Sequence, residues 1–232
     1  MGGAALHIWS ILASQIAPCP WISKLMAFFL SRVITPLALC LSMMVSVQAT
    51  TSEAALTLVR TTVEALRTGL QAPLAAGQNA AARATVLVEQ DVVPNMDLNY
   101  SGRLILGRHW GAADAAQRAG FIAAYREMLL RLYATHVMDY QDAAVEYLSA
   151  APLGKAAGRM TVRTRVTREG KGPASVDYRV IDRDGQWKVF DAVIDGVSIV
   201  STLRTAVDTE IGRIGLPALN AQLRTGKVAL AP

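Results

Sequence analysis

Leu56, Val59, Val63, Leu66 and Leu70 recur at steps of 3, 4, 3 and 4. That spacing places them on one side of a helix from about Ser52 to Gly69, which Pro73 and Gly77 then end. An alanine-rich stretch from Asn79 to Asp91 predicts a second helix, stopped before Pro94. A third begins at Asp97, a good N-cap, and carries Leu104, Ile105 and Trp110. The clearest helical pattern runs from Asp114 to about Tyr140. Phe121, Tyr125, Met128, Leu129, Leu132, Tyr133 and His136 cover one broad face, and Arg118, Arg126, Glu127 and Arg131 turn elsewhere.

After Tyr140 the period becomes alternating. Strands are predicted at Ala144 to Ala150, Arg159 to Arg168, Ala174 to Asp182 and Gln186 to Asp195. The connections carry Pro152 and Gly154, then Glu169 to Gly172, then the hairpin dipeptide Asp184-Gly185. Connections this short make neighbouring strands antiparallel. Val162, Thr164 and Val166 alternate with Arg163, Arg165 and Thr167, and Val176, Tyr178 and Val180 alternate with Asp177 and Arg179. One face of the sheet is therefore buried and the other wet. Helical spacing returns with Val200, Leu203, Val207, Ile211 and Ile214, closed by Gly215. A short helix from Pro217 to Leu223 precedes a tail expected to be disordered. Helices, a meander and more helices predict an α+β domain, a curved four-stranded antiparallel sheet with helices packed on one face.

Residues 1–49 do not fit this domain. They hold no Asp or Glu, two fixed cations (Lys24 and Arg32), and an apolar run from Val33 to Val47 ending in Val47-Gln48-Ala49. The small-x-small ending matches a signal-peptidase site, so cleavage is expected between Ala49 and Thr50, leaving 50–232 as a single domain. Met26 opens a more ordinary signal peptide, which points to a start codon assigned upstream; an uncleaved anchor from Leu25 to Val47 is the alternative. Cleavage would remove both cysteines, Cys19 and Cys40, and leave no thiol, disulfide or cysteine metal site. The net charge of +5 would also lose two cations, and basic residues do not interleave with aromatics, so nothing points to nucleic acid.

Catalytic candidates are few. Gly196 and Ser198 resemble half of a hydrolase nucleophile elbow, but Val200 stands where the second glycine belongs, and no histidine follows His136. Ser198 is expected instead to cap the helix beginning near Ile199. His109 and His136 lack metal-ligand spacing, and His136 continues an apolar helix face. Asp191 and Asp195 interrupt the last strand. Either could be the proton-transfer base of a ketosteroid-type isomerase, with Tyr178 nearby, or a structural acid paired with an arginine such as Arg179. No glycine-rich phosphate loop joins a strand to a helix.

Met96 to Trp110, MDLNYSGRLILGRHW, carries Asp97, Leu106, Gly107 and Trp110 in a pattern that resembles the MlaC, or toluene-tolerance Ttg2-type, family. Gln117, Arg118, Phe121, Leu129 and Tyr133 follow at the family's spacing. Trp187 to Asp191 (WKVFD), then Gly196, Val197, Ser198 and Arg204, complete the resemblance over about 52 to 225; Met96 and Leu98 depart from it, where an aromatic is commoner. The resemblance implies a periplasmic phospholipid-binding shuttle, not an enzyme. Its cargo would pass between an outer-membrane lipoprotein complex and an inner-membrane MCE-type ABC transporter, maintaining outer-membrane lipid asymmetry. It also implies an NTF2-like or cystatin-like appearance with an apolar pocket, no cofactor and action as a monomer. On that basis the expected pocket residues are Leu106, Phe121, Tyr125, Leu129 and Leu203 from helices and Val162, Val166, Val176, Tyr178, Val180, Val189 and Val193 from strands. A small NTF2-like periplasmic enzyme acting on an apolar small molecule is the alternative.

Overall fold

The structure is a computed structural model that describes residues 51–155 and 157–227. The expected presequence, its cleavage point, the last five residues and the side chain of Tyr133 lie outside what it describes. Helix α1 (51–71) turns its stripe inward, with Val59 and Leu70 buried beside Ala55. Asn79 caps α2 (Ala80–Leu87), its side-chain oxygen accepting from the N–H groups of Ala81 and Ala82. The predicted second helix does not stay α-helical to Asp91. Val88–Val92 widens into a π turn and Val93–Asn95 tightens into a 3-10 turn. Pro94 accounts for this, because it has no N–H to donate and its ring crowds the carbonyl four residues earlier.

Asp97 caps α3 (Leu98–Leu106), accepting from the Tyr100 N–H at 2.8 Å. The predicted third helix breaks at Gly107, where φ is 50°, and a short α4 (His109–Ala112) carries Trp110. Helix α5 is Ala115–His136, and its expected last turn tightens into a 3-10 turn, Val137–Tyr140. His136 is exposed rather than packed, and Val137 takes the buried place as the chain turns. After the sheet come α6 (Ile199–Ile214) and α7 (Leu216–Thr225).

Strands β1 (Ala144–Pro152), β2 (Arg159–Thr167), β3 (Ala174–Arg183) and β4 (Gln186–Ile194) form the expected antiparallel meander. The sheet has five strands, not four, because β5 (Val197–Ser198) pairs back onto β4. The turn that adds it repeats the Asp-Gly signal. Asp184 and Gly185 have φ of 55° and 85°, and Asp195 and Gly196 have 48° and 86°, so both hairpins turn through two left-handed residues. A returning strand of two residues is too short to show alternation.

Two bulges interrupt the pairing. Tyr147 lies opposite Thr164 and Ser149 opposite Arg163, leaving Leu148 extra. Val180 lies opposite Val189 and Arg179 opposite Asp191, leaving Phe190 extra. Each extra residue reverses which face the following residues occupy. Val189 and Val193, expected side by side on one face, therefore fall on opposite faces. The inner face carries Met160, Val162, Thr164 and Val166 of β2, Val176, Tyr178 and Val180 of β3, and Val189 of β4.

Buried side chains gather in separate groups. One joins Ala55 and Val59 of α1 to Met160, Val162 and Val180 on the inner sheet face. A second is wholly helical, built from α3 to α7 around Ile105, Leu106, Phe121, Leu203, Val207 and Leu219. A third, around Leu70, Ala84 and Val137, ties the ends of α1, α2 and α5 together.

Gly196 tests the unexpected hairpin cleanly. A Cβ there would meet nothing within 4 Å, so only its φ opposes a side chain. Gly196→Ala should lower the unfolding free energy by about 1–2 kcal/mol in a urea titration. An unchanged midpoint would show that the turn does not need a left-handed glycine.

Candidate functional site

Asp191 is the most connected polar side chain of the sheet. It stands just past the β4 bulge with its side chain only 1% exposed. Its Oδ2 accepts from Arg179 at 2.9 Å and from the Ser198 hydroxyl at 2.7 Å, and its Oδ1 accepts from the Val200 N–H at 3.0 Å. Ser198 in turn accepts from the Ser201 N–H at 3.1 Å. The free N–H groups that open α6 are thus satisfied by two side chains. Ser198 is a cap, as its sequence context indicated, and its hydroxyl is bound to a carboxylate instead of an imidazole base. Asp191 has the predicted Arg179 partner, and every bond it makes holds backbone or a neighbouring side chain in place. Asp195 likewise serves the fold, accepting from the Ser175 N–H at 2.8 Å.

The histidines do not converge on this acid. His109 lies 2.7 Å from Asp208 of α6, which Arg108 also contacts at 2.9 Å. The His109 hydrogen bond, with Arg108 beside it, holds the Asp208 carboxyl below the usual range. Among the described residues no group of three or more His, Cys, Asp or Glu is placed to hold a metal ion.

The predicted pocket residues divide into two sets. Leu106, Phe121, Tyr125, Leu129 and Leu203 are each no more than 5% exposed and pack within the helical group, where the Phe121 and Tyr125 rings stack at 6.3 Å. Val162, Val180, Tyr178 and Val189 instead meet α1 on the inner sheet face. Val166 and Val176 lie on that face toward its other end, and Val193 is buried on the opposite one. The inner face is not used up by core packing. Val176, Tyr178 and Val189 are half-buried, and Ile194, beside Val176 in the ladder, is 40% exposed.

Above this face, α1 is tied to β1 by Tyr147, whose hydroxyl donates to Glu64 at 3.3 Å while Arg67 holds the same carboxylate at 2.7 Å. Burial, with the Glu64 charge adding to it, raises the Tyr147 phenol from 10.0 to about 12. Thr62, two residues earlier on α1, has a buried hydroxyl without a hydrogen-bond partner among the described residues. Sequence reasoning missed both residues. Their only signal was a polar group on an otherwise apolar helix or strand face.

The motif residues turn out to be latches between elements. Asp97 caps α3 and also accepts from Arg183 of β3 at 2.6 Å. Gly107 needs its positive φ, and a Cβ there would come within 2.8 Å of the Arg204 guanidinium on α6. Arg118 lies over the Trp110 ring at 5.2 Å and donates to the Trp110 carbonyl at 2.9 Å. Positions far apart in sequence are therefore bound in pairs.

An open antiparallel sheet whose inner face keeps spare apolar surface beneath a helix, beside a separate helical core, defines an α+β domain. The MlaC protein family matches residues 60–225, and the chain belongs to that family. It is 27% identical over 117 residues to the intermembrane phospholipid transport system binding protein MlaC of Haemophilus influenzae, a match covering 49% of this chain and 54% of that protein. The matched part thus spans about half the length of that curated relative. It is also similar to a phospholipid-binding protein of Ralstonia solanacearum solved in complex with a phospholipid. There the TM-score is 0.61 at 28% identity, over 73% of this chain and 98% of that one.

Tyr147 supplies a pH test of the α1 contact. Its folded pKa lies above the unfolded value, so the folded state holds the proton more tightly between pH 10 and 12 and stability should fall as pH rises through that window. Following tyrosinate absorbance during alkaline titration should reveal a late phenol near 12 that Tyr147→Phe removes and Glu64→Gln shifts down. A late phase that Tyr147→Phe leaves unchanged, or no late phase, would mean that α1 does not cover Tyr147 in solution.

Proposed function

We propose that this chain binds phospholipid and carries it between membranes, receiving the acyl chains between α1 and the inner face of the sheet. The observation that carries the reading is its likeness, at 28% identity and over 98% of that chain, to a protein solved with a phospholipid bound. The geometry supports it. Val162, Val166, Val176, Tyr178, Val180 and Val189 share one sheet face, part of which is left to solvent. The helical residues expected in the pocket pack against one another, which supports an acyl site on the strand set and α1 with Val193 outside it.

Each buried CH₂ contributes about 0.8 kcal/mol, so a chain of some sixteen carbons represents on the order of 10 kcal/mol to be hidden from water in transit. Such a task needs apolar area and no nucleophile. In this reading the signal peptide is removed between Ala49 and Thr50, and the protein works in the periplasm as a monomer. It passes cargo between an outer-membrane lipoprotein complex and an inner-membrane MCE-type ABC transporter, and so maintains outer-membrane lipid asymmetry.

Native mass spectrometry of protein gently purified from a Gram-negative periplasm should show bound phospholipid on a chain that begins at Thr50. Lipid-free protein would overturn the reading, and a retained presequence would overturn its localisation. Val176→Trp should lower bound lipid by about tenfold with the fold intact by circular dichroism, since overfilling such a site costs about 1–3 kcal/mol. Phe121→Trp should instead reduce stability, because it lies in the closed helical core.

A further inference from the structure

Where α5 gives way to the sheet there is a cleft of about 320 Å³. Asp139 and Asp142 line it from the α5–β1 connection, and Arg168, Glu169 and Lys171 from the β2–β3 turn. Charges of both signs thus share one cleft. Among the described residues, none of these five is in a salt bridge, with one another or with anything else. Arg168 is nevertheless held in place, half-buried, with its guanidinium 4.4 Å from the centre of the Tyr140 ring. Oppositely charged side chains that line the same space without pairing leave both signs available to a ligand that brings both.

The cleft also adjoins the proposed acyl site. In the ladder Val145 pairs with Val166 and Ala144 with Thr167, so Asp142 and Arg168 stand just beyond the last inner-face valines. A step of two residues along a strand is about 7 Å. Met138 completes the connection, lining the cleft and packing against the apolar group of Leu70, Ala84 and Val137.

We infer that this cleft receives the head group of a zwitterionic phospholipid, with Arg168 and Lys171 facing the phosphate and Asp139, Asp142 and Glu169 facing the ammonium. The inference rests on the phospholipid-carrying reading and adds a preference among phospholipids. A head group with a phosphate but no ammonium would leave three carboxylates unmatched, so the cleft favours a phosphoethanolamine-type group over a purely anionic one.

The test loads the delipidated protein from vesicles of equimolar phosphatidylethanolamine and phosphatidylglycerol and measures the extracted lipid. The wild type should be enriched in phosphatidylethanolamine by roughly two- to fivefold, the range expected of a few solvent-exposed ion pairs. The exposed pair of changes Asp142→Asn with Glu169→Gln should remove that enrichment while total lipid stays the same. Lysine loss in Lys171→Gln should lower retention of both lipids. Uptake without preference, or a preference that survives the paired change, overturns the head-group assignment and leaves the carrier reading standing. No uptake of either lipid overturns the carrier reading itself. A third arm titrates glycerophosphoethanolamine and follows amide shifts at 139–142 and 168–171. Saturable binding as strong in the absence of acyl chains as with them would make the cleft a site for a free zwitterion, and that too overturns the assignment.

Discussion

The fold turns on one buried carboxylate. Asp191 stands in β4 just after the bulge at Phe190 and is held by Arg179 of the neighbouring strand. It also fixes the start of α6 through Ser198 and the Val200 N–H. An unpaired carboxylate at that depth would cost several kcal/mol, so the strand, the hairpin and the helix must adopt one relative position to satisfy it. That position sets the rest. Helix α6 brings Arg204 against Gly107 and Leu203 and Val207 into the helical core, and β4 presents Val189 to α1.

The arrangement separates two apolar regions. The helical group closes on itself, and its large residues are fully covered. The inner sheet face is covered chiefly by α1, which is held there by its apolar stripe and the Tyr147–Glu64 bond. A domain with one closed core can expose a second apolar surface without unfolding, and a single helix is an easier lid to shift than a bundle. Several residues of the family resemblance are latches between elements, Asp97 with Arg183, Gly107 with Arg204, Trp110 with Arg118, and Ser198 with Asp191, whereas Trp187 and Val189 of the same resemblance lie on the inner sheet face.

Much of this was legible in the chain. The stripe of α1, the long amphipathic α5, the four-strand alternation and the Asp97 and Ser198 caps all follow from spacing and residue type. These features are local or nearly so, and periodicity with cap chemistry reports local structure directly. The Asp191–Arg179 pair was one of two readings and depends on the bulge at Phe190. The second Asp-Gly dipeptide was also present, but its returning strand of two residues had no pattern to show. The π turn before Pro94 and the break at Gly107 were legible as interruptions, though not as the particular turns that resulted.

What the amino-acid order determined by itself was which residues are apolar, which repeat at helical or strand spacing, and where the chain must turn. Which apolar residues share a surface was decided only by tertiary pairing. A single extra residue at Phe190 sends Val189 and Val193 to opposite faces, and no periodicity marks that slip because it exists only relative to the partner strand. The split of the valines and leucines into a closed helical core and a partly open sheet face arose in the same way. The hydrophobic pattern of one element is the same whether its partner is another side chain or a space, so only the packed structure tells which apolar positions are covered.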